Sequence, residues 1–177
     1  MKLMFLAGSF RKKSATQGII RTIVENATDY QYCAPRIDKL PFYSEDLDGS
    51  HRPDIVIDFI NQVSGVDGIV LCSPEYNHSI PAVLKNAIDW ASRPAFKSSL
   101  KDKPITIISQ TNSEVGGARL QAHLKLVLDS TLSRIYPSHE MMISNISTKI
   151  SDEQRVIDDI TVSRLKRHIN MFISFIA

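Results

Sequence analysis

Residues 2–17 read KLMFLAGSFRKKSATQ, and this stretch decides the fold. Lys2 to Ala7 is short and apolar, as suits a buried central strand. Gly8 ends it. A helical pattern then runs from Ser14 to Ala27, with Ile19, Ile20, Ile23, Val24 and Ala27 on one stripe. Ser14 stands where a helix N-cap is expected. The polar residues 8–16 therefore join a buried strand to a helix N-terminus. Free backbone N–H groups and the helix dipole favour an anion at such a junction.

The same alternation continues outward from this unit. Tyr30 to Ala34 reads as a second strand, closed by Pro35, and a long connection follows from Arg36 to His51. Pro53 opens a helix with Ile55, Val56, Phe59, Ile60 and Val63 on its apolar face, and Gly65 closes it. Gly68 to Cys72 is the next core strand, Ser73 to Ser79 a loop, and Ile80 to Ser92 a helix with Pro81 in its first turn. Pro104 to Ser109 is the fourth strand, Gly117 to Ser130 a helix, and Arg134 to Ile143 holds the fifth strand around Pro137. Asp152 to Phe172 is the closing helix. No internal repeat or second domain interrupts the pattern, so residues 1–177 are expected to form a single domain.

A βα repeat of this kind predicts an α/β three-layer sandwich. Its mostly parallel sheet carries helices on both faces, because the crossovers are right-handed. Ligands in such folds sit beyond the carboxyl ends of the strands, where the strand order reverses. The loops after strands one, three and four are the ones that carry chemistry.

Composition narrows the function classes. A hydrophobic content of 43% with 23% charged residues is that of a globular domain, not a disordered chain. A formal net charge of +2, with scattered Lys and Arg, gives no basic patch for a nucleic acid. No apolar run is long enough to span a bilayer, and Met1 to Leu6 is too short for a signal peptide. Cys33 and Cys72 then read as reduced thiols of a cytoplasmic protein, and neither lies at metal-ligand spacing. The N-x-S/T matches at Asn26, Asn77 and Asn145 are expected to be idle there.

In the first loop, Ser9, Ser14 and Thr16 offer hydroxyls and Arg11 a charged fork, so the natural guest is a phosphate. A capped surface helix with solvated charges would use the same residues. The loop has neither the dinucleotide glycine spacing nor a Walker lysine. The second loop, Ser73 to Pro81, lies between a core strand and a proline-started helix and can present N–H groups and Tyr76 to a flat heterocycle; a plain structural turn is the alternative. His78 lacks a catalytic partner in sequence and reads as a surface histidine. In the third loop, Ser109 to Ala118, the pair Gly116-Gly117 allows close backbone approach to a ligand or, alternatively, a tight helix entry.

Taken together, the three loops resemble the NADPH-dependent FMN reductase family, which includes bacterial quinone, chromate and azo-dye reductases. Gly8-Ser9-Phe10-Arg11-Lys12-Lys13-Ser14 matches its G-S-x-R-x-x-S phosphate loop. Pro74 to Asn77, Ser79, Pro81, Leu84 to Ala87 and Asp89-Trp90 match its P-E-Y-N-x-S-x-P-x-x-L-K-N-A-x-D-W signature. Leu40-Pro41-Phe42-Tyr43 with Asp46, and the pair Gly116-Gly117, extend the likeness over essentially the whole chain.

The resemblance implies a flavodoxin-like fold with a five-stranded parallel sheet in the order 2-1-3-4-5. It implies FMN as cofactor and NADPH or NADH as co-substrate. Ser9, Arg11, Ser14 and Thr16 would then hold the FMN phosphate. Pro74, Glu75, Tyr76 and Asn77 would border the isoalloxazine ring, and Ser109, Gly116 and Gly117 would complete the pocket wall. Many relatives have Asn where this chain has Thr16, and Gln17 is a candidate substitute. The implied reaction passes a hydride from nicotinamide to flavin and then, by a ping-pong cycle, electrons to a quinone, free flavin, azo compound or metal oxyanion. No protein acid, base or nucleophile is assigned, and no metal. An FMN electron carrier without NAD(P)H activity is the alternative, although such carriers are strongly acidic.

A homodimer, or a tetramer built from it, is expected as well. Val83, Leu84, Ala87, Ile88 and Trp90-Ala91 spread apolar groups around more than one face of their helix, where a single stripe would cover a sheet. Phe96 and Phe42-Tyr43 would extend that surface. Trp90 closing the monomer core is the other reading.

Overall fold

The computed structural model describes residues 1–26 and 30–177; the helical stripe position Ala27 lies outside them. All sheet pairings are parallel, and the order is the expected one. β2 (Gln31–Cys33) lies on one side of β1 (Lys2–Ala7), and β3 (Gly68–Pro74) lies on the other. β4 (Pro104–Gln110) follows, and then the short β5 (Arg134–Ile135). The order reverses between β1 and β3, which places the switch point at their carboxyl ends.

Alternation along the strands sends side chains to two cores. On one face, Met4, Leu6, Ile69, Leu71, Ile105 and Ile107 meet α2 (Asp54–Ser64), α3 (Ala82–Ala91) and α4 (Ala118–Ser130). On the other, Leu3, Phe5, Ala7, Val70, Cys72 and Ile108 meet α1 (Ala15–Glu25) and α5 (Asp159–Ile176). β3 and β4 are buried throughout, as strands covered on both faces must be.

Two boundaries and the surroundings of one helix depart from expectation. The fifth strand is broken in two. Arg134 and Ile135 pair with Pro104 and Ile105, and β6 (Met141–Ile143) then pairs with Ile108 to Gln110. Between the pairs Ile105–Ile135 and Ile108–Met141, β4 advances three residues and the edge chain six. The surplus leaves the ladder around Pro137, which has no N–H to donate. α5 starts at Asp159, not at Asp152. Ile150 bridges Val156 first, Gln154 has a φ of 59°, and Asp158 caps the helix by accepting from the Thr161 N–H at 2.8 Å. α3 is the third case. Its Trp90 is fully buried, along with Leu84, Ala87, Ile88 and Ala91.

That burial is achieved within one chain. The Pro41 carbonyl accepts from Trp90 Nε1 at 2.8 Å and from Asn86 Nδ2 at 3.0 Å, while Asn86 Oδ1 accepts from the Tyr43 N–H at 2.8 Å. Tyr43 closes edge-on against Trp90, with ring centroids 5.0 Å apart. The segment Leu40 to Tyr43 is thus a strap over α3. The second apolar face of that helix is covered by the chain's own connection and needs no partner. Phe42 and Phe96 remain outside it, 78% and 73% exposed.

Candidate functional site

β1, β3 and β4 end at one edge, and the three polar loops rise from it. Gly8 follows β1, and its N–H bonds the Cys72 carbonyl at 2.8 Å. A Cβ there would lie 2.1 Å from Ser73 Oγ, so only glycine lets the first loop leave against β3. The loop then places Ser9 and Ser14 in buried positions beside the N-terminus of α1, and leaves Arg11, Lys12 and Lys13 exposed. Ser14 stands at the N-cap but forms no side-chain cap bond. Its Oγ instead donates to the Ser9 carbonyl at 3.3 Å, which also accepts from Gln17 Nε2 at 3.1 Å. The first N–H groups of any helix lack intrahelical acceptors, and here no capping side chain takes them and no acid stands in the first turn. They remain available to an anion. Thr16 is fully buried, with Oγ1 accepting from Gln110 Nε2 at 3.3 Å.

The second loop is a tight hairpin. Tyr76 and Ser79 exchange two backbone bonds, of 3.1 and 2.9 Å, around Asn77 and His78. Both of these have positive φ, 48° and 64°, as a two-residue type I′ turn requires. The hairpin is tied on both sides. Tyr76 OH donates to Ser9 Oγ at 3.3 Å, reaching the first loop. Glu75 turns its carboxylate to α4, where Oε2 accepts from the Leu120 N–H at 3.1 Å. Ser79 Oγ lies 3.0 Å from His123 Nδ1 on the same helix. His78 is a surface residue, 3.6 Å from Glu75.

In the third loop, Gly116 and Gly117 have φ of 67° and 90°, and Gly117 is the N-cap of α4. A Cβ on Gly117 would lie 2.8 Å from Ser109 Cβ. Ser109 is fully buried, donates to the Gly116 carbonyl at 2.8 Å and accepts from Gln121 Nε2 at 3.1 Å. The fold thus brings every nominated residue to one edge, and direct side-chain bonds connect all three loops.

The model of the NADPH-dependent FMN reductase family matches residues 1–148. This chain belongs to that family. It is 30% identical to 2-hydroxy-1,4-benzoquinone reductase from Burkholderia sp over 177 residues, covering 99% of this chain and 96% of the relative. It is 33% identical to the quinone reductase of Escherichia coli K12 over 180 residues, covering 99% and 95%. The solved flavoenzyme NAD(P)H:(acceptor) oxidoreductase FerB from Paracoccus denitrificans superposes with a TM-score of 0.87 at 27% identity, covering 99% of this chain and 96% of that one. Membership makes the chain an oxidoreductase and implies FMN with NAD(P)H as co-substrate.

The site of this FMN reductase relative fits that cofactor. Buried hydroxyls beside an uncapped helix end suit a phosphate. Gly116-Gly117 closes the opposite wall with backbone packed against Met142 and Ser109, where no Cβ would fit. A cleft between α1 and α5, lined by Thr22, Tyr30, Leu165 and Ile169, shares no residue with this edge. Cys72 is buried beside Thr16, and burial raises its pKa, so its thiol stays protonated. Among the described residues no cluster of His, Cys, Asp or Glu is placed to hold a metal.

Sequence reasoning missed two glutamines. Gln110, the last residue of β4, joins that strand to Thr16, and Gln121 joins α4 to Ser109 and, at 3.4 Å, to the Met141 carbonyl. Their signal was polarity at positions that ought to be apolar. Gln110 closes a buried strand, and Gln121 adjoins the Leu120, Leu124, Leu128 stripe of α4.

Proposed function

We propose that the whole chain, residues 1–177, acts as one flavodoxin-like unit that binds FMN at this edge, oxidises NADPH or NADH, and reduces a small acceptor in a ping-pong cycle. The observation that carries the reading is the α1 N-terminus, uncapped by any side chain and flanked by buried Ser9 and Ser14. Ser9, Arg11, Ser14 and the N–H groups of the first turn hold the phosphate, and Thr16 backs them through Gln110. Pro74, Glu75, Tyr76 and Asn77 frame the ring side, with Ser109, Gly116 and Gly117 as the far wall. FMN, when bound, supplies the hydride-accepting and electron-donating centre. The protein places it, excludes water from its buried side and offers backbone N–H groups of the hairpin to negative charge.

The names of the relatives favour a quinone as acceptor. Free flavin, azo compounds and metal oxyanions share the planar or anionic character that an open site admits. The two free cysteines suit a reducing, cytoplasmic setting; no helix of the described residues is long and apolar enough to cross a membrane. A homodimer, alone or paired into a tetramer, is the assembly we assign, with Phe42 and Phe96 on the face between copies.

Anaerobic mixing of FMN-loaded protein with NADPH or NADH is the test. Flavin absorbance should bleach rapidly, and a benzoquinone should restore it. Flavin that dithionite reduces but neither nucleotide bleaches would mark an electron carrier instead. Release of FAD on denaturation, or failure to take up FMN, would overturn the cofactor assignment.

A further inference from the structure

We propose that Glu75 is a positioning residue that sets the distance between the ring-side hairpin and the glycine wall. The proposal rests on the FMN site described above. Glu75 stands at the root of the hairpin, immediately after β3. Its side chain, only 9% exposed, crosses to α4, where Oε2 accepts from the Leu120 N–H at 3.1 Å. Leu120 is the third residue of α4, and Gly117 is that helix's N-cap. The carboxylate therefore does for α4 what no capping side chain does, since Gly117 has none to offer.

Two features make this a geometric tie as well as a cap. Arg119 Nη1 and His78 Nδ1 each lie 3.6 Å from the other oxygen, Oε1, one reaching from α4 and one from the hairpin. A negative charge at a helix N-terminus, flanked by a guanidinium, keeps its place at little cost. The second tie, Ser79 to His123, lies one turn further along the same helix. The hairpin thus cannot shift relative to Gly116-Gly117 without breaking a charge-assisted bond. Glu75 is framework to the flavin pocket, and the P-E-Y-N stretch divides its labour: Glu75 holds α4, while Tyr76 reaches the first loop at Ser9.

Side-chain length separates this role from a general need for charge or for a folded loop. Glu75→Gln keeps an oxygen that can accept from Leu120. Glu75→Asp keeps the charge but falls short by roughly one carbon–carbon bond, about 1.5 Å. Glu75→Ala removes both. FMN affinity, measured by quenching of flavin fluorescence, should fall roughly tenfold in E75A and in E75D and stay within about threefold of wild type in E75Q. The visible circular dichroism of bound FMN should change in E75A and E75D and be restored in E75Q. In the wild-type apoprotein, the Leu120 amide should exchange slowly with solvent, a measurement that needs no variant. Wild-type affinity in E75A, equal losses in E75A and E75Q, or a freely exchanging Leu120 amide would overturn the proposal. A wild-type protein that takes up no FMN would fail the underlying assignment, and this proposal with it.

Discussion

The hydroxyl of Tyr76 lies 3.3 Å from the Oγ of Ser9, joining the hairpin after β3 to the loop after β1 across 67 residues of sequence. Between neutral groups on a half-open side chain, such a bond is modest. Its consequence is order, because Ser9 also anchors Ser14 and Gln17 through its carbonyl. Tyr76→Phe keeps the ring and removes only the tie. We expect FMN affinity to fall about twofold to fivefold, the equivalent of ~0.5–1 kcal/mol, with an unchanged melting temperature. Tighter FMN binding in Y76F would mean that Tyr76 competes with the phosphate for Ser9 and would reverse this reading.

Gly117 and Gly49 both have positive φ, but only one is crowded. A Cβ on Gly117 meets Ser109 at 2.8 Å, whereas nothing lies within 4 Å of one on Gly49. Gly117→Ala therefore adds a clash to the backbone strain of about 1–3 kcal/mol that an L-residue meets there. For a chain of this size each kcal/mol is worth roughly 2–4 °C in melting temperature. G117A should melt several degrees below G49A and bind FMN more weakly, by calorimetry and flavin titration. Equal melting temperatures for the two variants would show that Ser109 yields freely.

Much of this site was legible in sequence because it follows from strand ends. The apolar runs at Lys2–Ala7, Gly68–Cys72 and Pro104–Ser109 located three carboxyl edges, and parallel topology put Ser9, Tyr76 and Gly116 on the same one. What stayed hidden depended on side-chain direction. Glu75 and Tyr76 adjoin in sequence and reach opposite neighbours, α4 and the first loop. Periodicity saw extra apolar surface on α3, but it could not see that Pro41 returns to cover Trp90. The edge strand failed for a related reason. Its split depends on how far Pro137 pushes the chain from β4, which is a matter of tertiary register.

His168 should leave a mark on the acid limb of stability. It lies on the buried face of α5, with Nε2 2.7 Å from Thr106 Oγ1 and the Tyr136 ring edge-on at 5.8 Å. Burial, aided by the charge of Arg164, lowers its pKa from 6.5 to about 4. The folded protein thus holds a neutral imidazole where the unfolded chain would be protonated. Unfolding takes up a proton between those two values, so stability is intact above the unfolded pKa and declines as pH falls toward about 4. The contribution is at most ~1.4 kcal/mol per pH unit in that window. His168→Gln does not titrate and retains a partner for Thr106. Urea unfolding across this range should show a shallower pH slope for H168Q than for wild type, and parallel slopes would contradict a neutral buried His168.

The assembly prediction turns on Phe42 and Phe96. Each projects from an otherwise satisfied surface, 78% and 73% exposed, and neither serves the monomer core. Phe42 belongs to the strap whose neighbours Pro41 and Tyr43 are bonded to Asn86 and Trp90, so its backbone is held while its ring stands free. A rigid exposed aromatic is a low-entropy anchor for a partner. Trp90 lies beneath it and contributes nothing outward. Static light scattering during size-exclusion chromatography should therefore give at least twice the 19.9 kDa chain mass for wild type at micromolar protein. Phe42→Ser with Phe96→Ser should move the population toward the single-chain mass without lowering the intrinsic melting temperature of the monomer, because no core contact is lost. Trp90→Phe should do the reverse, destabilising the fold by opening a void and removing one of the two donors to the Pro41 carbonyl while leaving association intact. A wild-type mass of a single chain with FMN bound would end the assignment. A double variant that still assembles would move the interface away from these two rings.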